Sequence, residues 1–297
     1  MRILFVFLHG IGDCLMFTPA LRMYKEEHKS DIFDILTLDL TKEIWQNNPN
    51  INTVFVSKFI KSPPNHGNYL KYFFQRIKIK NEINEIKKRF NYNRVEYVVP
   101  QSFRIFGLTI PIPGLLNRTI LKKFDKHETV KLCRRLNVGK DKKWPDAFFK
   151  ELNIPSRNIK NAESLLKKSN VNGKFYVLHT TAFARNRKLT KDESIQLINL
   201  LYNNKIKVIV LQKEDQNKDT IYIKTQDLMT SAAIIKKCSL FVGIDSGPAH
   251  IAEALKKRSV IISKAFKGSL RYIETKSFKL IDKFDIALIK KDINEKR

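Results

Sequence analysis

Two short runs in this chain set a carboxylate beside glycine where a strand gives way to a helix. They are Gly10-Ile11-Gly12-Asp13 and Asp245-Ser246-Gly247-Pro248-Ala249-His250. Glycine lets the backbone approach a ligand closely, and the free amides of a helix start favour an anionic group. In the first run Asp13 has two readings, a cap on the helix or a general base toward a hydroxyl. Gly-x-Gly is common in strand-to-helix turns, and the third glycine of the full dinucleotide pattern is missing. In the second run Pro248 suits the first turn of a helix. Ser246 and His250 beside the exposed amides make a cradle suited to a diphosphate. The plainer reading is a helix start with Asp or Ser as N-cap, which has no need of a histidine one turn further on.

The elements that must carry these runs read as α/β. Residues 2–8 form an apolar run without alternation, as in a parallel strand covered on both faces. A helix is expected from Leu15 to Lys25, strands at Phe33 to Leu38 and Thr53 to Val56, and a long helix over 68–90. Val95 to Val99 reads as a further strand, and His127 to Leu136 as a helix closing this half. The stretch from Asp141 to Gly173, with a polar helix inside it, is the expected connection. Strands follow at Phe175 to Thr180, Lys207 to Leu211, Leu240 to Ile244 and Val260 to Ile262. Helices are expected at Asp192 to Tyr202, Leu228 to Lys236 and Ala249 to Leu255. In open sheets of this kind ligands bind at the carboxyl ends of strands, which is where both runs fall.

Composition narrows the partners without naming one. The 297 residues carry 56 Lys plus Arg against 29 Asp plus Glu, a net charge of +27, which attracts polyanions of any kind. Three distant cysteines, Cys14, Cys133 and Cys238, show no metal-ligand spacing and suit a reduced intracellular protein. The apolar run after Met1-Arg2 is too short for a signal peptide, and no stretch is long enough to span a membrane. Tyr69 to Lys80 mixes aromatics with cations, and a second basic stretch runs through Lys122, Lys123, Lys126, Lys131, Arg134 and Arg135. A solvated helix face is one reading of each; attraction to a phosphorylated glycolipid in an anionic leaflet is the other.

The two runs, in this order, resemble the signatures of glycosyltransferase family 9, the lipopolysaccharide heptosyltransferases. Gly10-x-Gly12-Asp13-x-Leu15-x-x-x-Pro19-Ala20-Leu21 is similar to the family's N-terminal signature. Leu240 through Ala252 is similar to its donor-binding signature, and His179-Thr180-Thr181 with Arg185, Arg187 and Lys188 to its middle motif. His127 stands where the family commonly has a histidine before a helix. The resemblance implies a GT-B fold: two Rossmann-like domains with parallel sheets facing a central cleft. They are expected at 1–150, for the acceptor, and 151–297, for the nucleotide-sugar, with a C-terminal tail that can pack back on the first. It further implies an inverting, metal-independent transfer with no cofactor beyond the donor.

By the same resemblance Asp13 is the general base, with Gly10 and Gly12 beside it. Thr180, Thr181 and a cation among Arg185, Arg187 and Lys188 meet the donor diphosphate. Asp245, Ser246, Gly247, Pro248 and His250 surround the nucleotide and its phosphates. The implied donor is ADP-heptose and the acceptor a lipopolysaccharide or lipooligosaccharide core or related anionic glycan, reached at the cytoplasmic face of the inner membrane. One departure is plain: the family's middle motif reads Lys-x-Trp-Pro, whereas this chain has Arg187-Lys188-Leu189-Thr190. Arginine neutralises phosphate with a bidentate fork and does not simply replace lysine. Rival readings are another nucleotide-sugar donor, an epimerase or hydrolase on the same scaffold, and a basic nucleic-acid-binding protein. No zinc finger, RRM or KH signature supports the last, and no specific nucleic acid is expected.

Overall fold

The computed structural model describes residues 1–61, 69–98, 104–105, 108–109, 127–143, 145–182, 185–202, 206–213, 218–264 and 271–295. The chain divides into two compact units, Met1–Trp144 and Pro145–Arg297.

In the first unit β1 (Arg2–Phe7), β2 (Ile32–Thr37), β3 (Thr53–Val56) and β4 (Arg94–Tyr97) form a parallel sheet in the order β3-β2-β1-β4. The alternation of side chains along a strand explains why β1 is apolar throughout. Leu4 and Val6 join Leu36 of β2 with Ile83 and Ile86 of α3 (Tyr69–Arg89). Phe5 and Phe7 point the other way. Their rings lie 5.8 and 4.9 Å from Phe17 of α1 (Ile11–Glu27), and Phe7 lies 6.0 Å from Trp45 of α2 (Lys42–Gln46). Each such side chain contributes roughly 1.5–3 kcal/mol by leaving water. Asp34 is buried inside β2 but accepts from Arg2 and Tyr92 at 2.7 Å and from Asn52 at 3.1 Å. Burial alone would raise its pKa; these hydrogen bonds outweigh that and hold the carboxyl below its ordinary value.

α1 starts at Ile11, four residues before the expected Leu15, so Gly12 and Asp13 lie inside the helix. It also runs through Pro19, whose missing N–H would leave the Leu15 carbonyl without its donor. The Thr18 hydroxyl supplies that bond at 2.8 Å. α4 (Glu128–Arg135) begins after His127, whose ring Nδ1 accepts from the Thr129 amide at 3.2 Å. β5 (Arg104–Ile105) and β6 (Leu108–Thr109) make a two-stranded antiparallel pair.

The second unit holds β7 (Phe175–His179), β8 (Lys207–Val210), β9 (Ile221–Tyr222), β10 (Leu240–Ile244), β11 (Ser259–Ile262) and β12 (Phe278–Ile281). They form a parallel sheet ordered β12-β11-β10-β7-β8-β9. Counted from its own first strand this is the 3-2-1-4-5-6 order of the doubly wound dinucleotide fold. The strand order reverses between β7 and β10, and in the first unit between β1 and β4. Around it stand α5 (Ser156–Lys168), α6 (Lys191–Tyr202), α7 (Leu228–Lys237), α8 (Gly247–Ala254) and α9 (Ile286–Asn294). α5, inside the expected connection, packs on α7, and Asn158 Nδ2 donates to Asp227 at 2.9 Å. α9 lies against α6, β11 and β12. Among the described residues no helix is long and apolar enough to cross a membrane.

Candidate functional site

In the first unit, the corner between β1 and α1 places Gly10 just before the helix with extended backbone, φ −73° and ψ 171°. The first helical bond closes from the Cys14 amide to the Gly10 carbonyl at 3.0 Å. Asp13 is half-buried in the first turn, and the N-cap position is Gly10. A carboxylate in the first turn is favoured by the helix dipole. Beside this corner His9 bridges the point of strand reversal, with Nε2 3.2 Å from the carbonyl of Val98 after β4.

In the second unit β7 and β10 are neighbours, with Gly243 opposite His179. A side chain at Gly243 would meet the His179 carbonyl at 2.8 Å, so the two strands reach this closeness only with glycine there. The loops leaving them, Thr180-Thr181 and Asp245-Ser246-Gly247-Pro248, therefore emerge together at the carboxyl ends of the sheet. His179 is buried, and desolvation pushes its pKa down to about 4. Thr180 is buried, while Thr181 is half-buried and its hydroxyl donates to Gln212.

α8 opens with Ser246 as N-cap residue and Pro248 in the first turn. The Ser246 hydroxyl turns back to the Ile244 carbonyl at 3.0 Å and does not cap the helix. The first-turn amides are thus left to a ligand or to water. Asp245 is buried and belongs to a charge network. Its Oδ1 accepts from the Tyr272 hydroxyl at 2.7 Å, and its Oδ2 accepts from Arg271 Nη1 at 3.2 Å. Arg187 Nη1 lies 3.3 Å from the same Oδ2. His250 is buried too, its ring stacked on Tyr272 at 4.2 Å and its nitrogens 3.8 Å from the Asp245 and Glu253 carboxylates.

Beneath this lies a pair that the sequence reading did not select. Lys150 and Glu253 form a salt bridge with side chains 0% and 2% exposed. Lys150 Nζ also donates to the Arg271 carbonyl at 2.6 Å and sits 4.8 Å from the centre of the Tyr272 ring. Glu253 accepts the Ile273 amide at 2.8 Å. Burial pushes the lysine pKa down and the glutamate pKa up, and each is opposed by the other's charge. Burial and then the Asp245 charge raise Tyr272 well above the ordinary tyrosine range, so its hydroxyl stays a donor.

Of the expected cations, Arg187 joins Asp245 and Lys188 is exposed. Arg185 lies in a short helical turn with Arg187, and its side chain falls outside the described residues. So do the side chains of 69–76 and the whole of Lys122, Lys123 and Lys126, which are most of the first basic stretch and half of the second. Among the described residues no group of three or more His, Cys, Asp and Glu could hold a metal ion.

Residues 198–263, from within α6 to just past β11, match the family model of glycosyltransferase family 9 (heptosyltransferase). The resemblance to family 9 holds. The solved structure of a family 9 glycosyltransferase from Veillonella parvula superposes with TM-score 0.71 at 14% identity, covering 99% of this chain and 89% of that one. The E. coli heptosyltransferase WaaC, solved with ADP-2-deoxy-2-fluoro heptose, gives TM-score 0.66 at 15% identity over 99% of both chains. E. coli ADP-heptose lps heptosyltransferase II gives 0.65 at 15% identity, over 99% of this chain and 98% of that one. None of the curated proteins compared matches the chain. The fold is GT-B, as in these structures, and the family 9 match supports a glycosyltransferase.

Proposed function

We propose that the protein is an inverting glycosyltransferase that moves a sugar from a nucleoside-diphosphate carrier to a glycan hydroxyl. The observation that carries the donor half is the corner of β10 and α8. There a helix start with uncapped amides stands beside a guanidinium, Arg187, anchored to the buried Asp245. Amides and guanidinium offer hydrogen bonds and positive charge to a leaving diphosphate. Thr180 and Thr181 leave the neighbouring strand β7 at the same carboxyl end of the sheet. Gly247 and Pro248 shape the helix start, while Ser246 and the stacked His250 support the turn that presents it.

Asp13, carried in the first turn of α1 next to Gly10 and Gly12, is the base. The acceptor hydroxyl oxygen attacks the anomeric carbon from the face opposite the diphosphate. The bond from that carbon to the diphosphate oxygen breaks, its electron pair leaving with the diphosphate, and the hydroxyl proton passes to the Asp13 carboxylate. Cationic side chains and amides meet the departing charge, so the reaction is taken as metal-independent. The heptosyltransferases that this fold matches support ADP-heptose as the donor to try first. A lipopolysaccharide core or related anionic glycan is the acceptor to try with it, at the cytoplasmic face of the inner membrane, where the net charge of +27 favours anionic partners.

The test is product analysis with ADP-heptose and other nucleotide-sugars, each with and without a core oligosaccharide acceptor, in the presence of a chelator. A new glycosidic bond formed only when acceptor is present is the expected result. Turnover of donor alone would replace the reading with hydrolysis or epimerisation.

A further inference from the structure

Two loops at the carboxyl edge of the first unit's sheet each bury one apolar side chain and hold another out in solvent. Leu38, after β2, and Ile60, after β3, belong to the same core. Leu40 and Phe59, in the same two loops, are 41% and 46% exposed. The loops start side by side, with the Ser57 amide donating to the Thr37 carbonyl at 2.8 Å. Neither is slack. The Thr41 amide donates to the Leu38 carbonyl at 3.1 Å, and the Thr41 and Thr37 hydroxyls share a 2.9 Å hydrogen bond. The buried Glu82 of α3 accepts from the Ser57 hydroxyl at 2.8 Å and from the Lys58 amide at 2.7 Å. The Ser57 oxygen in turn accepts from the Ile60 amide at 3.2 Å. Buried hydrogen bonds thus fix the turn that presents Phe59, and a large apolar side chain presented in this way marks a contact surface.

Cations surround both tips. Lys58 and Lys61 flank the Phe59 turn and are exposed, and Lys78 of α3 holds its Nζ 6.0 Å from the centre of the Phe59 ring. Beside Leu40, the exposed Asp39 is ion-paired with Lys42 at 2.8 Å. The hydrogen bond and charge of Lys42, and then the charge of Lys61, hold the Asp39 pKa below its ordinary value, so the lysines of both loops act on one another's ground. We infer that this edge of the first unit docks on an anionic lipid bilayer. Leu40 and Phe59 enter the acyl boundary, and Lys42, Lys58, Lys61 and Lys78 meet headgroup phosphates. A bilayer offers both features in one surface, an apolar interior beneath a negative layer. A nucleic acid offers phosphates, and bases for an aromatic ring to stack on, but gives Leu40 little to bury against. β1 runs parallel to β2, so the corner that carries Asp13 opens on the same edge of the sheet.

This inference rests on the acceptor reading above, and the experiment separates the two. The full chain is co-sedimented, at several salt concentrations, with glycolipid-free vesicles of phosphatidylcholine and phosphatidylglycerol, and with vesicles of phosphatidylcholine alone. The wild-type chain should bind the anionic vesicles, and less so as salt rises. Leu40→Ser with Phe59→Ser should weaken binding about 10- to 100-fold and keep the salt dependence. Lys58→Gln with Lys61→Gln should weaken it about 10- to 30-fold and flatten the salt dependence. Lys290→Gln with Lys291→Gln on α9 removes the same charge elsewhere and should change binding by about twofold or less. Phe59→Trp should show blue-shifted emission on the vesicles, a readout that needs no loss of binding. Thermal unfolding of each variant checks that it folds. An equal loss in the Lys290 and Lys291 pair, or an unshifted Phe59→Trp emission, would overturn the inference. So would transfer to a soluble acceptor by a wild-type chain that ignores the vesicles, which would leave the proposed function standing. Vesicle binding without transfer to any acceptor would support the docking surface and overturn that function.

Discussion

Asp13 and Asp245 are the same residue type at the same kind of corner, between a parallel strand and a helix, yet their surroundings differ, and the proposed function gives them opposite work. Asp13 is the third residue of α1 and half-buried in its first turn. Asp245 precedes α8, is buried, and is bound by a tyrosine and two arginines. A carboxylate whose oxygens are occupied by fixed donors is well placed to orient cations. One at a half-buried first turn can meet a substrate hydroxyl. The lesson is that motif and corner select where a carboxylate stands, and the neighbours decide whether it reacts or supports.

The sharpest break of that contrast exchanges each carboxylate for its amide. Asp13→Asn should cut turnover by about 10²- to 10⁴-fold, the usual weight of a general base, with little change in unfolding temperature. Asp245→Asn should reverse the pattern, destabilising the second unit and weakening donor binding, because it strips the counter-charge from two arginines. Steady-state kinetics and calorimetric scans on both variants decide; equal stability losses would erase the distinction.

The foundation of the second corner can be removed next. Lys150→Met leaves Glu253 buried without its partner and should cost about 3–5 kcal/mol in denaturant unfolding. A Lys150→Met, Glu253→Met double variant should recover much of that loss, since the cost lies in the abandoned charge.

The same corner should carry a pH dependence. Desolvation lowers the folded His179 pKa to about 4 from its ordinary 6.5, so below 6.5 the unfolded state binds the extra proton. Its contribution to stability is present in full above pH 6.5 and is lost as the pH falls toward 4, on the order of 3 kcal/mol in total. Unfolding curves between pH 7 and pH 4 on the wild-type chain and on His179→Gln check this, the variant having the flatter profile. A milder change is Gly243→Ala, whose added carbon meets the His179 carbonyl and should cost about 1–3 kcal/mol by forcing β7 and β10 apart. The smallest effect belongs to the exposed pair Arg22–Glu26 on α1, where Arg22→Ala should change stability by about 0.5 kcal/mol or less.

The sequence alone was enough for both corners, for the order of most strands and helices, and for the resemblance to family 9. These are local signals: a strand covered on both faces reads as an unbroken apolar run, and proline with glycine marks a helix start within a few residues. β10 was placed to the residue for that reason. Gly10 to Asp13 reads as a turn, but two glycines and an aspartate also fit a helix start, and α1 begins at Ile11. β12 and α9 lie in a Lys-rich tail for which the sequence pattern names no element.

What the tertiary structure alone decided is the buried Lys150–Glu253 pair. Lys150 and Glu253 are 103 residues apart, and Lys150 and the Arg271 carbonyl 121. A lysine in a stretch such as Phe149-Lys150-Glu151 reads as exposed, because burying an unpaired charge is prohibitive. Only the packed fold supplies the partner that reverses that expectation. No local pattern could show that Asp245 would be shared by Tyr272, Arg271 and Arg187, since such sharing depends on distances between segments that the linear order keeps apart.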